Sequence, residues 1–233
     1  MDNGAELSSF VFPTESHFGE RYESRGPEWC LEMKLKVASG AMAVSERLEK
    51  RGYELTRNDA LTIMKFFKKL KLFQKSMELK HCWQDYKSFA REAKKIQVNS
   101  SLSLYKLVYK EAAKLLKYTD YYSFSRSAKF FNKLTGRDIE ACAGHLISIV
   151  SRLFVRRWAL DPILELTRNR LPILCCDIVI EQLSNEDICN ICLAATSQNH
   201  NNCKKNPKKN VTNCTNKIPV RTKKAPERLQ YVW

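Results

Sequence analysis

The spacing of the large apolar residues constrains this chain more than any other feature. Ile63, Phe66, Phe67, Leu70, Phe73 and Met77 follow one another at steps of three and four. That spacing lines up one face of a helix with 3.6 residues per turn. The rhythm recurs at Leu31, Leu35, Ala38 and Met42, at Leu104, Leu107, Val108, Ala112 and Leu115, and at Ile139, Cys142, Leu146, Ile149, Val150 and Leu153. No stretch sustains the period-two alternation of a half-buried strand. Glycine and proline number seven each in 233 residues, too few for a turn-dense β fold. The expected fold class is all-α, a helical body with an acidic N-terminal arm and a disordered basic C-terminal tail.

Local signals place the boundaries. Gly52 is a C-terminal stop for a helix over 28–51. Thr56 or Asn58 caps the next, which the periodicity carries to Met77. Trp83, Tyr86, Phe89 and Ala93 continue a helical pattern toward Ile96. Asn99-Ser100-Ser101 breaks it and can cap the following helix. Asp120 opens a helix holding Tyr121, Phe124, Phe130, Phe131 and Leu134, which Gly136 interrupts or ends. A further helix covers 138–160, and Asp161-Pro162 reads as a turn. The expected organisation has four parts: an acidic flexible arm over 1–27, a basic helical body over 28–170, a helical hairpin with a Cys/His cluster over 171–203, and a tail over 204–233 that cannot bury a core.

Charge is distributed as unevenly as the apolar residues. The net charge is +15, yet residues 1–33 carry seven acids against two bases, and 171–203 carry four acids and no Lys or Arg. A basic body and tail favour a polyanion, most often nucleic acid. Two rows of cations fall on helix faces opposite the apolar positions. Lys106, Lys110, Lys114 and Lys117 form one, and Arg126, Lys129, Lys133 and Arg137 the other; Lys65, Lys68 and Lys69 face away from the apolar face of the 58–77 helix. A row of about 11 residues runs roughly 16 Å, the length of several phosphates. Such rows read charge and shape rather than base identity, which suits double-stranded RNA. A solvated lysine face is the plain alternative for any one row.

Nine cysteines, six of them between Cys175 and Cys214, suggest reduced thiols or a metal site rather than a disulfide framework. Cys189 and Cys192, followed by His200 and Cys203, provide two pairs at the gap that tetrahedral zinc uses. The same two cysteines also lie in an apolar helical pattern, where they would be packed thiols. No Ser/His/Asp or Cys/His arrangement, Gly-rich phosphate loop or carboxylate-rich metal motif accompanies them, so no enzyme is expected. No run of about 18 uncharged apolar residues is present, and the acidic start Met1-Asp2-Asn3-Gly4-Ala5-Glu6 lacks the pattern of a secretory signal. No membrane partner is expected.

The acidic island itself is LPILCCDIVIEQLSNEDICNICL, from Leu171 to Leu193. It opens on Leu171-Pro172, places Val179 and Ile180 centrally, turns at Leu183-Ser184-Asn185-Glu186-Asp187-Ile188, and runs apolar again through Ile191 and Leu193. This pattern resembles an F-box. It departs at Cys175 and Cys176, where larger aliphatics are usual, and at Ile173-Leu174, where an acid commonly follows Leu-Pro. The resemblance implies docking to the adaptor subunit of a host SCF ubiquitin ligase through Leu171, Pro172, Val179, Leu183, Asp187 and Ile188. An ordinary buried hairpin completing the core fits the same residues. With its size, charge and layout, the chain resembles the silencing suppressors of criniviruses, plant viruses of the closterovirus group. That resemblance implies binding of double-stranded RNA, shielding it from host dicing, and residence in the host cytoplasm, with nuclear entry if the basic tail acts as an import signal. A zinc-dependent nucleic-acid-binding protein is the remaining reading.

Overall fold

The computed structural model describes residues 10–17, 30–73, 87–109, 116–127, 134 and 136–205; the side chains of 88, 109, 137 and 199–205 are excluded. The fold is all-α. Nine described helices follow in order: α1 (Leu31–Lys50), α2 (Arg57–Lys69), α3 (Lys87–Lys95), α4 (Leu104–Tyr109), α5 (Tyr118–Ser125), α6 (Gly136–Arg157), α7 (Leu160–Leu166), α8 (Ile173–Gln182) and α9 (Asn185–Lys205). The described residues contain no strand, only an isolated bridge between Gln97 and Ser103. The described residues through Thr196 belong to one compact unit, and the end of α9 from Ser197 to a second.

The apolar spacing becomes the core of the first unit. Leu35 and Met42 of α1, Ile63, Met64 and Phe67 of α2, Phe89 of α3, Leu104 and Leu107 of α4, Tyr121 of α5 and Leu146 of α6 are all fully buried. Helix α1 packs against both α5 and α6. Gly40 sits at the α1–α5 contact: a Cβ there would meet Cε2 of Tyr122 at 3.2 Å, tighter than most packed carbons. The Ser39 and Ser125 hydroxyls pair at 3.1 Å across the same contact. Each hydroxyl also has a carbonyl acceptor in its own helix, Leu35 for Ser39 at 2.6 Å and Tyr122 for Ser125 at 2.8 Å, so both buried groups are partnered.

Several boundaries follow the sequence signals. Gly52 has φ +93°, the left-handed geometry in which glycine carries no Cβ penalty, and α1 ends two residues before it. Thr56 caps α2 in a reciprocal box: its Oγ1 accepts from the Asp59 N–H at 3.2 Å, while the Asp59 carboxylate accepts from the Thr56 N–H at 2.8 Å. Other boundaries differ. Helix α2 stops at Lys69 rather than running to Met77, because the chain turns through Lys71 at φ 56°; Leu72 and Phe73 are still buried beyond the turn. The Asn99 side chain accepts from the Ser101 and Leu102 N–H groups in a local turn and does not cap α4. Ser103 does, accepting from the Lys106 N–H at 3.4 Å. Gly136 begins α6 instead of ending the helix before it. Pro162 lies in the first turn of α7, where its missing N–H has no intrahelical partner to lose. Helix α9 continues through the Cys/His stretch to Lys205. The tail from Asn206 lies outside the described residues, as does most of the arm.

The described piece of that arm rests on the body. Phe10 meets Tyr53 edge-on at 5.2 Å between ring centroids, and Phe12 stacks on Tyr53 at 6.2 Å. Burial, and then the hydrogen bond to Asp59, push the Tyr53 phenol up to about 12.

His145 of α6 offers a test of the packing by pH. Burial holds its pKa below the ordinary value, with a Val108 backbone hydrogen bond acting in the opposite direction. The folded chain therefore binds this proton less readily than the unfolded chain. Its contribution to stability is intact above the unfolded value near 6.5 and is lost as pH falls below it, by at most about 1.4 kcal/mol per pH unit. His145→Gln is expected to flatten urea-derived stability between pH 6.5 and 5 relative to the parent. Equal slopes in the two proteins would show that His145 is not the sensor.

Candidate functional site

Two surfaces of opposite chemistry stand out in the first unit. The first is the helical hairpin of α8 and α9. Pro172 precedes α8 as its N-cap, and only Cys176 and Ile180 of that helix are buried. They sit four residues apart, on one inward stripe. The remaining aliphatic side chains face solvent: Leu174 is 76% exposed, Ile178 64%, Ile173 54%, and Val179 and Leu171 near 40%. Scattered exposed apolar residues are ordinary, whereas five on and beside one short helix concentrate apolar surface in one place. Asp177, Glu181 and Glu186 lie exposed around it.

The hairpin is held by α6. Arg152 donates from Nη1 to the Leu183 carbonyl at 2.6 Å and from Nη2 to the Ile180 and Glu181 carbonyls at 2.5 and 3.2 Å. These carbonyls belong to the C-terminal end of α8, where helical backbone lacks internal partners and the helix dipole favours a cation. Asn185 donates from Nδ2 to the Ser148 carbonyl at 2.9 Å, and Arg156 pairs with Glu181. Ser148, Arg152 and Arg156 follow at steps of four, so one stripe of α6 clamps the helix end and the turn. Burial lowers the Arg152 pKa from its usual height, Glu181 raises it and Arg156 lowers it; a guanidinium stays charged in a protein regardless.

The residues assigned to partner binding divide accordingly. Leu171, Pro172 and Val179 are exposed and available. Leu183 is half-buried against the core. Asp187 is used locally: its carboxylate accepts from the Ser184 N–H at 3.0 Å and the Ser184 hydroxyl at 2.6 Å, closing the N-terminal cap of α9. Ile188 is fully buried and cannot reach a partner; it anchors α9 in the body. Ile173, Leu174 and Ile178 take its place on the accessible face. The sequence pattern does not single these residues out, because seven of the ten residues of α8 are apolar and leave its inward side unmarked.

Cys189 and Cys192 of α9 belong to the core. Cys189 and Cys192 are buried, with Sγ set 3.9 Å from the Met64 carbonyl oxygen and 3.5 Å from that of Trp158 respectively. Burial pushes the two thiols up to about 11 and about 12, away from the thiolate a metal requires. The side chains of His200 and Cys203 are excluded, and no group of metal-holding side chains is found among the described residues. Cys189 and Cys192 are thus packed thiols in this structure, and the zinc reading, which also needs His200 and Cys203, falls partly outside the described side chains.

The second surface lies on α3 and α4. Lys87, Arg91, Lys94 and Lys95 are exposed along one face of α3, opposite buried Phe89, Ala93 and Ile96. A tight connection returns the chain: the Leu104 N–H bonds the Ile96 carbonyl and the Val98 N–H bonds the Leu102 carbonyl, both at 2.8 Å. It lays α4 against α3 and brings in exposed Lys106. Lys94 Nζ stands 4.9 Å from the centroid of the Tyr105 ring, a cation–π contact that ties the two helices. Glu92, paired with Lys95 at 2.8 Å, is the one acid within α3.

Of the predicted RNA-binding residues, Lys106 joins this surface. Lys117 is exposed just before α5, and Arg126 just after it. Lys65 is paired with Glu15 at 3.0 Å, and Lys68 donates to the Asn190 side chain at 2.7 Å; Lys69 is exposed at the end of α2. Lys110, Lys114, Lys129 and Lys133 lie outside the described residues, and Arg137 is placed only as a member of the first turn of α6. The α3 cations, at steps of four, three and one, define a face in the sequence as clearly as the rows at 106–117 and 126–137 do.

No helix among the described residues is long and apolar enough to cross a membrane. No family model matches the chain, and no curated protein or solved structure matches it either.

Proposed function

We propose that the chain is a non-catalytic suppressor of RNA silencing of the crinivirus type, which holds double-stranded RNA and keeps it from host dicing. The observation that carries this reading is the convergence of Lys87, Arg91, Lys94, Lys95 and Lys106 on one packed helix pair. Charge in this arrangement follows a phosphate backbone without reading bases, and the deep major groove of A-form RNA makes that the natural mode of duplex recognition.

The test is binding of long duplex RNA, short duplex RNA and single strands across a salt series. Replacing Lys87, Arg91, Lys94 and Lys106 with Gln is expected to weaken duplex binding at least ~100-fold near 100 mM salt. It should also lower the slope of log K against log salt by roughly 3, at somewhat under one unit per lost phosphate contact. Unchanged affinity and slope in the folded variant would remove this surface from the reading.

The exposed aliphatic face of α8 favours a second, compatible function: F-box-like docking to the adaptor subunit of a host SCF ubiquitin ligase. An apolar stripe with acidic neighbours suits an aliphatic groove bordered by basic residues. The RNA surface and the docking surface use different helices, so one chain can carry both.

A further inference from the structure

We propose that the cleft between α1, α2 and α5 binds a small amphipathic anion, with an apolar body and one carboxylate or phosphate head. This site is separate from both surfaces above. It is a cavity of about 840 Å³, within the range of small-molecule sites.

Its walls come from four places. Helix α1 contributes Val37, Ala41, Val44 and Leu48, α2 contributes Ile63 and Phe66, α5 contributes Tyr122, and the N-terminal segment closes a side with Phe10, Phe12 and Pro13. The charged residues lining it are Lys36, Arg47 and Arg126, all cationic, with no carboxylate among them. Lys36 is partnered by Glu32 at 2.7 Å. Arg126 donates to the Tyr122 hydroxyl at 3.1 Å and lies over its ring, which holds the guanidinium at the cleft. Val44, 57% exposed, gives the cleft an accessible apolar wall.

The combination selects the ligand class. Aliphatic and aromatic walls favour an acyl or aromatic body by removing it from water. Arginines favour a planar or tetrahedral anion, which they grip with paired donors. A neutral hydrocarbon alcohol would use the walls and gain nothing from the cations. The two anionic heads share this chemistry, and direct comparison separates them.

The experiment titrates the full chain by calorimetry with decanoate, decyl phosphate and decanol. One or both anions should bind at one site, with decanol at least ten-fold weaker; the stronger anion identifies the head. The paired change Arg47→Gln and Arg126→Gln should weaken anion binding at least ten-fold, and Val44→Trp, which fills the cleft from an exposed helix position, should abolish it. Ile178→Ser, on the aliphatic face of α8, should leave anion binding unchanged. Equal binding of decanol, no anion binding, or anion binding that survives Val44→Trp or is lost in Ile178→Ser would each overturn the assignment. RNA binding by Val44→Trp, which removes no charge, is expected to match the parent, so the cleft stands or falls apart from the proposed function.

Discussion

Replacing Leu174 and Ile178 together with aspartate is expected to abolish capture of the SCF adaptor subunit while the chain stays folded. Both side chains are mostly in water in the free protein, at 76% and 64% exposure, so their loss removes little that holds the fold. The cost in helix α8 is the lower propensity of aspartate, about 0.5–0.7 kcal/mol per site. For a chain of this size that displaces the melting temperature by only a few degrees, at roughly 2–4 °C per kcal/mol. Across an interface the same change is severe. Truncating an anchor in a desolvated pocket commonly costs ~2 kcal/mol or more, and a buried unpaired carboxylate adds to that. Two such sites should weaken binding by ~1000-fold, beyond detection in a pull-down. Ile188→Ala is the contrasting variant. It opens a core cavity, worth ~2–5 kcal/mol for a residue of this kind, and any binding it loses should track unfolding. Adaptor capture that survives the double aspartate variant would refute docking through α8.

The two residues also mark the limit of what the sequence reveals. An amphipathic helix announces its buried side, because polar residues occupy the other. Ile173 through Gln182 is apolar nearly all round, so its pattern does not say which side is in. The fold settles that through two small events. Pro172 sets where the helix starts, and the turn at Leu183 and Ser184 sets where it ends, leaving Cys176 and Ile180 inward. Ile188, matched to a partner contact on pattern alone, belongs instead to the long core face of α9. Where the pattern was strongly two-sided, as in Ile63, Phe66 and Phe67, the buried face and the lysine face were both legible.

Caps and turns show a similar division. Thr56 and Gly52 act within three residues of their position, and the sequence carries that information. The end of α2 at Lys69 depends on Leu72 and Phe73 turning back into the core, a tertiary gain that outweighs continued helical spacing. For the basic rows, helical spacing fixes a face but not its neighbour. The α3 row gains its partner Lys106 only through the loop at 97–103, whose hydrogen bonds cross between the two helices. Lys65 and Lys68, by contrast, spend their charge inside the molecule on Glu15 and Asn190.

Arg152→Leu is expected to loosen the hairpin selectively, and local hydrogen exchange is the measurement that shows it. Leucine keeps much of the aliphatic packing but removes every donor. Three carbonyls at the end of α8 then lose a charged partner that water, at a half-buried site, replaces only in part. Hydrogen bonds to charged groups contribute about 1.5–3 kcal/mol each. Exposure of this helix end and the surviving Asn185 and Arg156 contacts reduce the total to about 2–4 kcal/mol. Because the clamp touches α8 and the turn alone, amides of α8 should exchange at least ~30-fold faster, while those of α1 and α2, buried elsewhere in the core, change little. Exchange separates this from general destabilisation, which would accelerate all three helices together through global unfolding. Arg152→Lys should fall between, since an ammonium keeps the charge near the helix end but cannot span three acceptors in a fixed fork. Adaptor capture should weaken in both variants without any change to the docking side chains, because a helix that frays from the body must be re-ordered on binding. Protection of α8 equal to the parent's in Arg152→Leu would show that Cys176, Ile180 and Ile188 hold the hairpin unaided.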